Sequence, residues 1–173
     1  IRDNAGNDIT AQLQNTGGSF GAQLHDKNSV LPGYLNELSN IAQGFADTLN
    51  AALAQGIDLN GLTPTANLFT YSTVTGAAAS LAVTGITADQ IAAASTGAPG
   101  GNGNAIAIAQ LAGQPVYNGY TFIQAYGNLG SQVGSDLSNV HQDQAAHQDL
   151  VTQMQQQCAQ VSGVSLDAET VKL

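Results

Sequence analysis

From Phe122 side chains recur at helical spacing, Phe122, Tyr126, Leu129, Val133 and Leu137 or Val140, and the stripe continues through His147, Val151, Met154, Cys158 and Val161. Thr121 and Gln124 read as a capping box at its start, each side chain answering the other's backbone N–H. At 1.5 Å per residue a helix from about 121 to 161 is about 60 Å long. No compact domain of 173 residues needs such a helix, whereas a rod does. Gly127, Gly130 and Gly134 weaken its first half, where it can bend or lie very close to a neighbour.

A second stripe lies earlier, at Leu31, Leu35, Leu38, Ala42, Phe45, Leu49 and Ala52. Its steps alternate between four and three, a heptad seam. Ile41 and Leu53 widen it, and Asn36, Glu37, Asn40, Gln43, Asp47 and Asn50 form the opposite, polar face. Asn28-Ser29 reads as a start signal, with Pro32 in the first turn, where its missing N–H costs nothing. Gly56 reads as the stop. Each stripe must cover its apolar face, so the two helices are expected side by side and antiparallel. The expected core is Leu31, Leu35, Leu38, Phe45 and Leu49 from the first stripe, with Val133, Val151 and Met154 from the second.

Shorter signals surround these helices. Gly17-Gly18 breaks the chain before a short helix with Ser19 as its N-cap and Phe20 and Leu24 on one side. Asp58-Leu59-Asn60-Gly61 is a turn signature. Leu68 to Thr75 alternates at Phe69, Tyr71 and Thr73 like a strand, and Ser80 to Thr84 reads as another. Thr87 and Gln90 form a capping box for a short helix from Ala88 to Ala94. Gly97 to Gly103 is a loop, and Asn104 to Leu111 is an Ala- and Ile-rich helix. The fold class is therefore mainly α with a small β-rich insert, an elongated antiparallel helical bundle or rod. Residues 1–61 form its first helical part, 62–99 the β-rich insert, and 100–173 the second helical part with the long helix.

Charge narrows the function. Charged residues are 9% of the chain, against about 25% in an average soluble domain. Lys and Arg number 3 against 12 Asp and Glu, for a formal charge of −9, and no Lys or Arg lies between Lys27 and Lys172. A groove for nucleic acid needs clustered cations, and so does a polybasic membrane tether. Neither can be built here, and no apolar run is long enough for a spanning helix. Leu, Ile, Val and Phe make up about 23% of the residues, above the roughly 20% below which disorder is the default. The chain shows no basic-then-apolar leader, and its lack of an initiator Met points to an excised piece.

Candidate chemistry is sparse. Asp143 and His147 share a helix face at i and i+4 and could hold a metal if another element added ligands, but His141 points away from His147. A solvated or packing role fits these residues better. Gly97 to Gly103 lacks the Lys of a phosphate loop, and Asp58-x-Asn60-Gly61 lacks the later acids of a calcium loop. Cys158 has no second Cys to pair with and falls on the apolar stripe, as a packed thiol does. Catalysis needs titratable groups within mutual reach. No enzyme activity, catalytic residue, cofactor or metal is expected.

Three stretches together resemble the family of the first hook-associated protein of bacterial flagella, found at the hook–filament junction. The first runs Gly17-Gly18-Ser19-Phe20-Gly21-Ala22-Gln23-Leu24, Val30-Leu31-Pro32, Leu35, Leu38, Ala42, Asn50, Gly56 and Asp58-Leu59-Asn60-Gly61. The second is Ile91-Ala92-Ala93-Ala94-Ser95 with Gly101-Asn102-Gly103-Asn104-Ala105 and Leu111. The third, Ser162-Gly163-Val164-Ser165-Leu166-Asp167 with Glu169, is similar to the family's carboxy-terminal Ser-Gly-Val-Ser-Leu-Asp-Glu-Glu motif, with Ala168 in place of one acid. The resemblance implies a carboxy-terminal fragment of a flagellar axial protein, trimmed of its polymerising ends. It implies a structural role: export through the type III apparatus, homo-oligomerisation in a ring at the end of the hook, and contact with the hook protein and with the second junction protein and filament. Localisation would be secreted, in the flagellum. The alternatives are another secreted axial protein, of flagellin or rod type, and a secreted metal-binding module or enzyme using His141 and His147. The β-rich insert favours the junction family over a simple rod protein.

Overall fold

The computed structural model describes residues 1–15 and 17–162. The chain divides into two compact units, Ile1–Gly130 and Ser131–Leu173.

The first unit opens with α1 (Thr10–Gln14) and α2 (Gly18–His25). Gly17 and Gly18 adopt φ of 76° and 71° between them, a region L side chains avoid. Gly17, rather than Ser19, occupies the N-cap position of α2. The expected helix start at Asn28-Ser29 is absent. Instead α2 passes through a π-helical turn (Asp26–Val30) straight into α3 (Leu31–Leu53). Leu31 N–H reaches back to the carbonyl of Asp26, five residues away. The wider turn loosens the backbone just ahead of Pro32, whose ring would otherwise meet the carbonyl one turn back.

Along α3 the buried residues are Ile41, Ala46 and Leu53. Leu38, Phe45 and Leu49 are half-buried, whereas Leu31 and Leu35, expected in the core, are 55% and 62% exposed. The cause is where the insert settles. It packs on the polar side of α3, so the fully buried residues lie off the heptad seam, and the open seam residues, Leu31 and Leu35, are those at the helix's start.

That insert is held by two short antiparallel ladders. β1 (Gly56–Ile57) pairs with β4 (Ala94–Ser95), Gly56 opposite Ser95. β2 (Phe69–Thr70) pairs with β3 (Ala82–Val83), Phe69 opposite Val83, and α4 (Ala77–Ser80) lies between them in sequence. The longer strands expected over 68–75 and 80–84 do not form. Ser80 Oγ accepts from Ser72 N–H at 2.8 Å and donates to Gly76 O at 2.7 Å. A hydroxyl thus takes backbone groups that a longer ladder would have used. The short helix expected from Ala88 to Ala94 is a single 3₁₀ turn, Ala88–Gln90, with its Thr87/Gln90 capping box formed. It stops there because Ala94 joins the ladder.

α5 (Gly103–Gln110) and a 3₁₀ turn, Leu111–Gly113, follow. α6 (Phe122–Ser162) begins at the expected capping box. Thr121 N–H donates to Gln124 Oε1 at 3.0 Å, and Gln124 N–H to Thr121 Oγ1 at 3.1 Å. The described part of the second unit is the run of α6 from Ser131. Val133, Val151 and Met154, expected in the core, stand 39%, 48% and 62% exposed. A single helix has nothing of its own on which to fold an apolar face. Gly163, Val164, Leu166, Asp167 and Glu169 of the carboxy-terminal motif lie outside the described residues, and Ser162 closes α6. No helix among the described residues is long and apolar enough to cross a membrane.

Candidate functional site

The first unit is organised around one buried amide. Asn104, in the first turn of α5, is 6% exposed. Its Nδ2 donates to Ala92 O at 2.7 Å and to Leu53 O at 3.4 Å. It therefore holds the end of α3, the segment leading to β4 and the start of α5 in one place. A Cβ on Gly56 would collide with the Asn104 amide and lie 2.7 Å from Ala92 O. Gly56 is needed for this close approach, not as a positive-φ helix stop: α3 ends earlier, at an Ala54 C-cap of helical conformation. Gly103 is pressed just as closely against Ser95 Oγ.

A second clamp fixes the insert to α3. Asn50 Oδ1 accepts from Phe69 N–H and its Nδ2 donates to Phe69 O, both at 2.9 Å. One side chain thus answers the backbone as a neighbouring strand would. One turn earlier, Tyr71 OH donates to Asp47 at 2.9 Å, and this bond raises the phenol's pKa above its ordinary value. Both Asn50 and Asp47 belong to the face expected to meet solvent.

Phe45 lies between Phe69 and Phe122, with ring centroids 5.5 and 5.6 Å away. Beside it is an apolar hollow of about 260 Å³ lined by Phe45, Leu49, Ile108, Leu111, Phe122 and Ile123 among others. Tyr117 closes over Gly44, where a Cβ would sit 2.8 Å from its ring. Burial first, and the Glu37 carboxylate second, push the Tyr117 phenol pKa up.

The titratable candidates do not assemble. His141, Asp143 and His147 are all exposed on α6. Among the described residues no three His, Cys, Asp or Glu side chains are grouped to hold a metal ion. Asp58 has its Oδ1 engaged by the N–H groups of Asn60 and Leu62 at 2.8 and 2.9 Å, and Gly61 completes the turn at φ 77°. These bonds, the one from Leu62 foremost, hold the Asp58 carboxyl below its ordinary pKa. The residue serves the turn.

Sequence reasoning missed the Asn50 and Asn104 clamps. The available signal was a lone amide in each case: Asn104 opening an otherwise Ala- and Ile-rich helix, and Asn50 near the end of α3, where a helix hands over to a loop. It also passed over Asn118-Gly119. Both have positive φ, 48° and 82°, and Tyr117 and Tyr120 exchange N–H···O bonds of 3.0 and 2.8 Å around them, as in a two-residue hairpin turn.

Architecture and side-chain chemistry together describe a mainly helical chain whose polar groups hold segments in place. Residues 1–69 match the family model of the flagellar hook-associated protein FlgK helical domain. The match supports a flagellar hook-associated, structural role and a place in the bacterial flagellum. No curated protein and no solved structure matches the chain.

Proposed function

We propose that the chain belongs to the junction between hook and filament, where identical subunits assemble into a ring. The similarity of residues 1–69 to the FlgK helical domain carries this reading. In it the hook protein lies on one side of the ring and the second junction protein and filament on the other, the protein is secreted through type III export, and it performs no catalysis. Its long helices contribute to an elongated antiparallel rod. Residues 1–61, 62–99 and 100–173 act as the first helical part, the insert and the second helical part.

The test is immunogold microscopy of flagella from the bacterium that makes this chain, with antibodies raised against it. Gold confined to the hook–filament boundary is expected. Labelling along the whole filament or on the rod would place the chain in another axial protein and overturn the junction reading.

A further inference from the structure

The chain contains three Asn-Gly pairs, Asn60-Gly61, Asn102-Gly103 and Asn118-Gly119. Glycine has no Cβ to shield its backbone nitrogen, so in each pair that nitrogen can reach the side-chain amide of the preceding Asn. All six residues are exposed, and the sequence gives no reason to rank the pairs. The structure ranks them. We propose that Asn118 is a site of covalent modification, its amide converted to aspartate or isoaspartate while the rest of the chain stays folded. The proposal does not rest on the flagellar reading.

The chemistry needs only water. Gly119 N loses its proton and attacks Asn118 Cγ. The N–Cγ bond forms, the Cγ–Nδ2 bond breaks, and the amide nitrogen leaves as ammonia with that proton. One water then opens the cyclic imide. Breaking the N–Cγ bond leaves aspartate. Breaking the original peptide bond leaves isoaspartate, whose main chain runs through Cβ. To bring Gly119 N against Cγ, the Asn-Gly peptide must turn out of its folded conformation, so in the folded chain the cost of local opening sets the rate.

That cost differs among the three pairs. At Asn60-Gly61 the attacking N–H is already donated to Asp58 O at 3.1 Å. Asn60 N–H and Leu62 N–H both donate to Asp58 Oδ1, and the Asp58 carboxylate opposes a second negative charge on Gly61 N. At Asn102-Gly103 the carbonyl of Asn102 accepts from Ile106 N–H at 3.0 Å. Gly103 is pressed against Ser95 Oγ, and turning this peptide pulls on the buried Asn104 next to it. Asn118-Gly119 is spanned by the two bonds that Tyr117 and Tyr120 exchange. Among the described residues, no hydrogen bond holds the Gly119 N–H or the Asn118 side chain. Asn118, at φ 48°, is also the one non-Gly residue with positive φ among those described, and opening the turn relieves that conformation.

The two products differ in effect. Isoaspartate adds an atom to the main chain between Tyr117 and Tyr120 and sets their exchanged bonds out of register. Tyr117 is the ring that covers Gly44 and lies 5.8 Å from Phe122, so the isoaspartyl form loosens the aromatic group around Phe45. Aspartate keeps the chain path and adds one negative charge to an exposed turn.

The test is a time course of the folded whole chain in mildly alkaline buffer, followed by digestion and peptide mapping that separates Asn, Asp and isoaspartyl forms. Asn118 should convert at least about tenfold faster than Asn60 and Asn102. In concentrated urea the three rates should fall within about threefold of one another, because the folded-state differences are gone. The isolated isoaspartyl protein should have a lower denaturant midpoint than the wild type, whereas Asn118→Asp should match it. Conversion at Asn60 or Asn102 as fast as at Asn118 in the folded chain would overturn the proposal. So would an Asn118 advantage that persists in urea, since neighbouring sequence would then be its cause. An isoaspartyl form with the wild-type midpoint would overturn the link to Tyr117.

Discussion

Gly56 has no side chain, and that absence is what the Asn104 clamp requires. A methyl group there meets the Ala92 carbonyl, which is backbone, and the Asn104 amide. Gly56→Ala should therefore cost about 1–3 kcal/mol, read as a lower denaturant midpoint with an unchanged slope. Combining it with Asn104→Ala should give less than the sum of the two single losses, since the methyl group then has more room. Asp58 supplies a pH dependence. Its folded pKa is lowered by N–H donors, so its contribution is present above the unfolded value near 3.9 and is lost as pH falls through the folded one. Asp58→Asn should flatten the loss of stability between about pH 4 and pH 2, followed by denaturant midpoints across that window. A curve as steep as the wild type's would mean that other carboxylates dominate, Asp3 and Asp8 first, since both are also lowered.

α3 carries two kinds of neighbour on two sides. Its polar side receives the insert through Asn50 and Asp47, and its second half holds Phe45 between two aromatic rings. Phe45→Ala should cost about 3 kcal/mol, near the low end for a buried Phe because the ring is half-covered and borders an apolar hollow. Leu35→Ala, at a side chain 62% exposed, should change stability by less than about 0.5 kcal/mol. Equal losses at the two positions in a reversible urea titration would show that the heptad face is buried along its whole length. The heptad was legible in the sequence and is real as a helix. Which of its residues are covered was not, because that depends on the insert, held by hydrogen bonds between residues about twenty apart in sequence.

The two units differ in what protects their backbone. In the first, α3 is covered by α4, α5 and β2, while the described second unit is helix with its side chains in water. Hydrogen exchange at low micromolar concentration should therefore find the slowest amides between Ile41 and Leu53. Those from Ser131 to Gln160 should exchange by local unwinding, at rates near those of an isolated helix. Uniform protection along α6 under these conditions would contradict a helix without cover. The expected pairing of the two stripes came from the rule that an apolar stripe needs a cover. The rule states that a cover is needed, and it does not name the segment that supplies it.

What the sequence alone determined lies within a few residues of its cause: the capping boxes at Thr87 and Thr121, the Asp58 to Gly61 turn, α5, and the long span of α6. Each depends on groups one helical turn apart or less, so composition and spacing are enough. Tertiary structure decided the rest. It turned the polar side of α3 into the seat of the insert, reduced two expected strands to two-residue ladders, and made Gly56 a contact rather than a stop. It also took Leu31 and Leu35 out of the expected core. The physical reason is that burial is a property of the assembled neighbours. A side chain's pattern shows which face can be covered, and the free energy of covering it appears only when a distant segment arrives with its own polar groups satisfied.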